Sequence, residues 1–312
     1  RHPFPAAGGI RPTKRRTMAE HAPRTPGTAP PALKSLPFLG PGLLFLIVFM
    51  AIPVALLLVY SFFTRGRFGG VQFTFTTENF AKLLDPLYAG VIAQSVGTAL
   101  LVTLLALLIG YPIAYAITRI PVRWRTIALI AIVLPFWTNF LIRTYAWILL
   151  LNNAGIVNQS LMGLGIIDAP LPLLYNWGAV GVGLLYMYLP LMILPLYASL
   201  QAIDPSLREA ATNLGSTPWR VFRTVTLPMS LPGALTGAIF VFVPSMSNFV
   251  IPELLGGGKM VLIGNLIRDQ FLEARNWPFG ATLALVLSAF LALLIVGQSW
   301  VNRRLSGGGD RD

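Results

Sequence analysis

Few residues in this chain could do chemistry, and their types point to binding rather than catalysis. The 312 residues contain no cysteine and two histidines, His2 and His21, both near the N-terminus. Disulfides, thiolate nucleophiles and a buried metal site of His and Cys are therefore excluded, and no acid–base pair is recognisable. Two groups of residues remain. One is a polar stretch set between long apolar segments, Glu209 to Pro228, reading EAATNLGSTPWRVFRTVTLP. The other is a scatter of polar and aromatic residues: Asn248, Glu253, Asp269 and Glu273, with Trp137, Tyr145, Trp147, Tyr186 and Tyr188. Carboxylates that pair with ammonium groups, and aromatic faces that attract cations, can together hold an organic cation. The same aromatics would equally suit an interfacial belt or packing. Asp269 and Glu273, four residues apart, would equally suit a solvated helix face or a contact with another protein.

The elements that must position these residues are membrane helices. Hydrophobic residues make up 55% of the chain and charged residues 11%, against about 25% charged in soluble domains; the mean hydropathy is +0.70. Six apolar segments, near 38–63, 90–118, 126–150, 178–200, 230–252 and 279–301, are each long enough for a hydrocarbon core of roughly 30 Å. Backbone groups in lipid must be satisfied within the segment, so the fold is expected to be all-α, a polytopic membrane protein with six transmembrane helices. Pro53, Pro112, Pro135, Pro190, Pro195 and Pro244 fall inside these segments and predict kinks, either around a cavity or from packing alone.

Orientation is read from Lys and Arg in the loops. With the N-terminus inside, one side carries sixteen: seven in the tail, Arg119, Arg123, Arg125, Arg208, Arg220, Arg223, Arg303, Arg304 and Arg311. The other carries six: Arg65, Arg67, Lys82, Lys259, Arg268 and Arg275. Both termini and the 201–229 loop are therefore expected in the cytoplasm. The net charge of +12 is this positive-inside signal and not a nucleic-acid footprint. Residues 1–37 read as a disordered, Pro-rich tail. Met18 is a plausible start that would make 1–17 upstream translation. Residues 302–312 form a second cytoplasmic tail.

Within the 201–229 loop, Asp204-Pro205-Ser206 is a helix start, and Leu207, Ala210, Ala211 and Leu214 recur at helical spacing. Gly215 is expected to end that helix in the left-handed conformation. Thr217-Pro218 starts a second helix with Trp219, Phe222 and Val225 on one face, and Pro228 is expected to stop it. Residues 253–278 carry a second short helix or re-entrant element on the outer side, with Leu262, Leu266 and Phe271 at helical spacing. There, Asp269 and Glu273 share one face and Phe271 and Arg275 another. No internal repeat is evident. The run Gly256-Gly257-Gly258-Lys259-Met260 lacks the glycine spacing and hydroxyl residue of a phosphate loop.

The spacing Glu-Ala-Ala, three residues, Gly215, nine residues, then Val225-Thr226-Leu227-Pro228 resembles the EAA loop of ABC importer permeases, with Val225 where Ile is usual. The stretches PFWTNFLIRTYAW (Pro135 to Trp147), NFVIPELL (Asn248 to Leu255) and NWPFG (Asn276 to Gly280) extend the resemblance to spermidine/putrescine permeases of the PotB/PotH type, over about residues 38–301. The resemblance implies a type I ABC importer fold whose loop enters a groove on an ATPase subunit, with Glu209, Ala210, Ala211 and Gly215 at the matched positions and Arg220 and Arg223 available to acidic groups there. It implies an ATPase dimer that binds the ATP, a second six-span permease and an extracytoplasmic substrate-binding protein, with no cofactor in this chain. Lipid is the remaining expected partner, and the resemblance implies the bacterial inner membrane as the location.

For a polyamine, Trp137, Tyr145, Tyr186, Asn248, Glu253 and Asp269 are the pathway candidates. Arg143, inside a span, is expected to pair with Glu253 or with a carboxylate of the partner permease. An opine-type or other small organic solute is an alternative cargo. Other readings are an amphipathic surface hairpin for the loop, an ion-coupled carrier and a membrane enzyme. The carrier reading is disfavoured by the scarcity of intramembrane acids.

Overall fold

The computed structural model of the chain describes residues 36–306, with side chains over 40–302. The expected tails therefore lie largely outside the described residues. The chain divides into two units, Arg1–Ile52 and Pro53–Asp312. In the first, α1 (Leu36–Leu46) runs into a π turn at Ile47–Ala51, where the Phe45 and Phe49 rings lie 4.4 Å apart. α2 (Ile52–Ser61) leads into the second unit. It continues with a hairpin of β1 (Phe63–Arg65) and β2 (Val71–Phe75), then α3 (Glu78–Lys82) and the long α4 (Pro86–Arg119). α5 (Val122–Val133), a 3-10 turn at Leu134–Trp137, α6 (Phe140–Leu151), α7 (Ile156–Gly163) and α8 (Trp177–Gln201) follow. The loop helices are α9 (Pro205–Asn213) and α10 (Pro218–Val221); a π turn at Phe222–Thr226 joins α10 to α11 (Leu227–Ser247). α12 (Val250–Gly256), α13 (Ile263–Leu272) and α14 (Trp277–Ser306) complete the described chain.

Six helical stretches among the described residues are long and apolar enough to cross a membrane: Gly40–Ser61, Pro86–Arg119, Phe140–Gly163, Trp177–Gln201, Pro218–Ser247 and Trp277–Asn302. The main core lies where α4, α8 and α11 meet. Val102 and Ala106 of α4, Val180, Leu184, Met192 and Leu196 of α8, and Val241 of α11 are fully buried there. Small residues let these helices approach closely, the usual basis of packing in lipid. A Cβ on Gly233 of α11 would lie 2.6 Å from the Pro195 carbonyl oxygen and 2.4 Å from Ser199 Cβ. A smaller cluster of Ala99, Met246, Ile263 and Leu287 ties α13 and α14 to α4 and α11. The buried Ser95 hydroxyl of α4 reinforces it by accepting from the Ile263 amide at 2.7 Å, which anchors the start of α13.

Three expectations from sequence are corrected here. The third spanning stretch begins at Phe140 rather than near 126, because the chain breaks at Pro135. Proline has no N–H for the carbonyl four residues back and its ring crowds that carbonyl; the chain tightens into the 3-10 turn, extends through Thr138 and Asn139, and restarts with the Asn139 side chain capping Leu141. Pro228 does not stop the second loop helix. The π turn before it widens the ladder, with the Leu227 amide bonding the Phe222 carbonyl five residues back, and helix runs unbroken from Pro218 to Ser247. Finally, Phe271 and Arg275 do not share a helix face, because α13 ends at Leu272 and Arg275 sits at a φ of +49° with its carbonyl held by the Gly70 amide. The β1–β2 hairpin was not anticipated: its signal is the alternation Val71-Gln72-Phe73-Thr74-Phe75 after two positive-φ glycines, Gly69 and Gly70.

Candidate functional site

The polar stretch folds as its residue types dictate. The Asp204 carboxylate accepts from the Ser206 amide at 2.9 Å, and Pro205 occupies the first turn of α9. At the other end Gly215 takes a φ of +79°. The Gly215 amide bonds the Thr212 carbonyl at 2.9 Å and the Ser216 amide bonds Ala211 at 3.1 Å, the paired bonds of a Schellman stop. The chain reverses and α10 begins at Pro218. Phe222 packs edge-on against Tyr111 and Tyr115 of α4, with ring centroids 5.7 and 5.9 Å away, and stacks on Trp219 at 5.4 Å. Tyr111 also exchanges a hydrogen bond with Ser230 at 2.8 Å, fixing the start of α11 to α4. Glu209, Ala210, Arg220 and Arg223 are exposed, and Ala211 is half-buried. The apolar Leu214 and Trp219 are 87% and 70% exposed.

The bond from the Ser206 backbone holds the Asp204 carboxyl below its usual range. A depressed folded value contributes stability that is present above the unfolded value, about 3.9, and is lost as pH falls through the folded one. Asp204→Asn, which keeps the cap oxygen, is expected to remove this acid sensitivity while preserving protection of the Ser206 amide in hydrogen exchange. Asp204→Ala is expected to remove both.

The second group converges on a residue that sequence reasoning treated only as a loop charge. Arg268 of α13 meets three carboxylates: its Nη2 lies 2.7 Å from Asp269, 3.2 Å from Glu253 of α12 and 3.7 Å from Glu273. Hydrogen bonding to Asp269 holds the guanidinium above its ordinary pKa. Its plane also lies 5.9 Å from the Phe249 ring. Asn265 donates to Glu253 at 3.4 Å and to the Phe249 carbonyl at 2.8 Å. Asn248 caps α12 by accepting from the Ile251 amide at 2.9 Å and donates to the Tyr188 hydroxyl of α8 at 2.8 Å. Three carboxylates around one guanidinium leave this cluster two negative, although Lys259 and Arg275 bring the whole connection between α11 and α14 to neutral. The clue in the sequence was an arginine beside one acid and within reach of two more.

Of the six pathway candidates, the structure thus joins Glu253 and Asp269 through Arg268, whereas Asn248 bonds Tyr188 at the start of α12. Tyr186 lies elsewhere, edge-on to Trp147 at 5.5 Å. Trp137 and Tyr145 are 84% and 55% exposed on the broken segment around α6. The pairing of Arg143 with Glu253 is not found: Glu253 belongs to Arg268, whereas Arg143 lies 5.5 Å from the Phe136 ring. The Arg143 Nε is buried without a hydrogen-bond partner among the described residues.

Comparison with known proteins places this architecture. Residues 106–307 match the family described as binding-protein-dependent transport system inner membrane component. The chain is 42% identical to the spermidine/putrescine transport system permease protein PotB of Haemophilus influenzae, over 84% of this chain and 91% of that one. It is 39% identical to PotB of Escherichia coli K12, over 80% and 91%. The inner membrane ABC transporter permease protein YdcU of Escherichia coli K12 is 31% identical over 82% and 86%. Among solved structures, a chain of a bacterial ABC transporter involved in import of the acidic polysaccharide alginate superposes with a TM-score of 0.67, covering 88% of this chain and 96% of that one at 18% identity. The fold is therefore that of type I ABC importer permeases, and this chain belongs to the inner membrane components of binding-protein-dependent transport systems, as a multi-pass permease whose ATPase is a separate subunit.

Proposed function

We propose that this permease carries polyamines inward as half of a membrane pathway, and that α9, Gly215 and α10 form the knob on which the ATPase docks. The 42% identity to a spermidine/putrescine permease over most of both chains carries the choice of cargo. The exposed Leu214 beside Glu209 supports the docking assignment. In this reading an ATPase dimer binds the ATP and no cofactor is held in this chain. A second six-span permease completes the pathway, and a binding protein delivers substrate to the outer side. Both termini and α9–α10 face the cytoplasm. ATP-driven closure of the dimer moves the knob, and α11 transmits that motion toward Asn248, Glu253 and Arg268.

A polycation approaching the cluster meets carboxylates that already hold a guanidinium, so its ammonium groups can replace Arg268 one bond at a time. Uptake of labelled spermidine and putrescine, by cells whose only polyamine importer contains this chain, tests the reading. ATP-dependent uptake is expected, and its absence alongside an intact complex rejects the cargo. Glu253→Gln is expected to lower polyamine uptake by about three- to tenfold, the range for one charge-assisted bond weakened by partial exposure. Undiminished uptake by this variant would exclude Glu253 from the pathway.

A further inference from the structure

Two cavities of opposite chemistry adjoin beside the α9–α10 loop. The first, about 400 Å³, is lined by Arg119 and Tyr115 at the end of α4, by Arg208, Glu209, Thr212 and Asn213 of α9, and by Pro218, Val221, Phe222 and Thr226. Its charged groups are two guanidinium groups and one carboxylate, leaving it cationic. Arg119 is held over the Tyr115 ring and donates to the Tyr115 hydroxyl. Arg208 reaches the Leu200 carbonyl at 3.4 Å, while its Nε is buried without a hydrogen-bond partner among the described residues. The second cavity, also about 400 Å³, is a groove of Tyr111, Pro112, Tyr115, Pro218, Trp219 and Phe222. Tyr115, Pro218 and Phe222 line both. Along α4, Tyr111 lies eight residues, or about 12 Å, deeper into the spanning helix than Arg119.

We infer that these joined cavities hold one anionic phospholipid, its phosphate between Arg119 and Arg208 and an acyl chain along the Tyr111–Trp219 groove. The occupant follows from the order of the chemistry. A cationic notch at the end of a spanning helix, continuous with an apolar groove running toward the membrane centre, matches a lipid and not a soluble anion. Basic pockets between spanning helices at the cytoplasmic face take such headgroups; the inference rests on the proposed function, which sets this loop at that face. The orphaned Arg208 Nε gains an acceptor, and the lipid wedges between α4 and the loop, so its presence stiffens the joint through which the loop moves α11.

Native mass spectrometry of the assembled transporter, equilibrated with phosphatidylglycerol and phosphatidylcholine, tests this. Retention of phosphatidylglycerol over phosphatidylcholine is expected, falling about 30-fold in Arg119→Gln/Arg208→Gln, at about fivefold for each cation lost, and recovering in Arg119→Lys/Arg208→Lys. Equal retention of the two lipids, or full retention by the Gln variant, overturns the inference. So does displacement by glycerol phosphate as effective as by the whole lipid, which identifies a soluble-anion site. Loss of the ATPase from the Gln variant with lipid retained also overturns it, assigning the notch to the ATPase contact.

Discussion

Gly215→Pro is expected to abolish ATP-dependent uptake while leaving the permease in the membrane. Gly215 sits at a φ of +79° and its amide bonds Thr212; proline is locked near −65° and has no N–H, so it fails on both counts. The mismatch costs about 3 kcal/mol or more, which lowers the population of correctly folded loop roughly 100-fold. None of that cost falls on the α4–α8–α11 core, so membrane levels of the variant should match the parent. Glu209→Lys attacks the same surface by reversing a charge without disturbing the turn, and is expected to give the same phenotype. Wild-type uptake rates in both variants, measured with labelled substrate in cells, would show that α9–α10 is not the ATPase contact.

Gly233→Ala is expected to be the most damaging single methyl addition at the α8–α11 crossing. The new Cβ would meet the Pro195 carbonyl oxygen and Ser199 Cβ at distances real atoms do not tolerate, and backbone oxygen cannot swing away as a side chain can. Overpacking of this kind costs about 1–3 kcal/mol and occasionally more. The companion variant is Gly181→Ala on α8, where nothing lies within 4 Å. Ala is there the better helix former, by up to about 1 kcal/mol. Thermal unfolding of the purified protein should therefore move in opposite directions for the two variants. A Gly233→Ala midpoint equal to or above the parent's would mean that α8 and α11 are not in register at this crossing.

Much of this was legible because the signals were local or long. Hydropathy summed over about 20 residues finds spanning helices, and the start and stop of α9 depend on Asp204, Pro205 and Gly215 acting on their immediate neighbours. The same averaging hides a two-residue break, which is why the interruption at Pro135 was read as a kink inside one continuous span. Pro228 misled for a different reason. Proline forbids one hydrogen bond, but a π turn supplies another pattern, and nothing in the residue types from Phe222 to Thr226 announces it. The Arg268 cluster depends on α12 and α13 folding back on one another across the glycine run at Gly256–Gly258. Hydrophobic period cannot encode that approach, so the sequence offers Arg143 either Glu253 or a carboxylate of the partner permease, when the partner of Glu253 stands fifteen positions further on.

The unbroken helix from Pro218 to Ser247 contains 30 residues, about 45 Å at 1.5 Å each. Gly233 sits near its midpoint, where the rod presses hardest on α8. That makes the crossing a fulcrum with two arms of about 22 Å. A tilt of about 10° around it displaces each tip by roughly 4 Å in opposite senses, on arms of that length. With the loop docked as proposed, the loop end and the Asn248 end would move as a seesaw, a pull on the loop swinging the distal end of the rod the other way. A bulky residue at the pivot would jam the seesaw even in a protein that still folds.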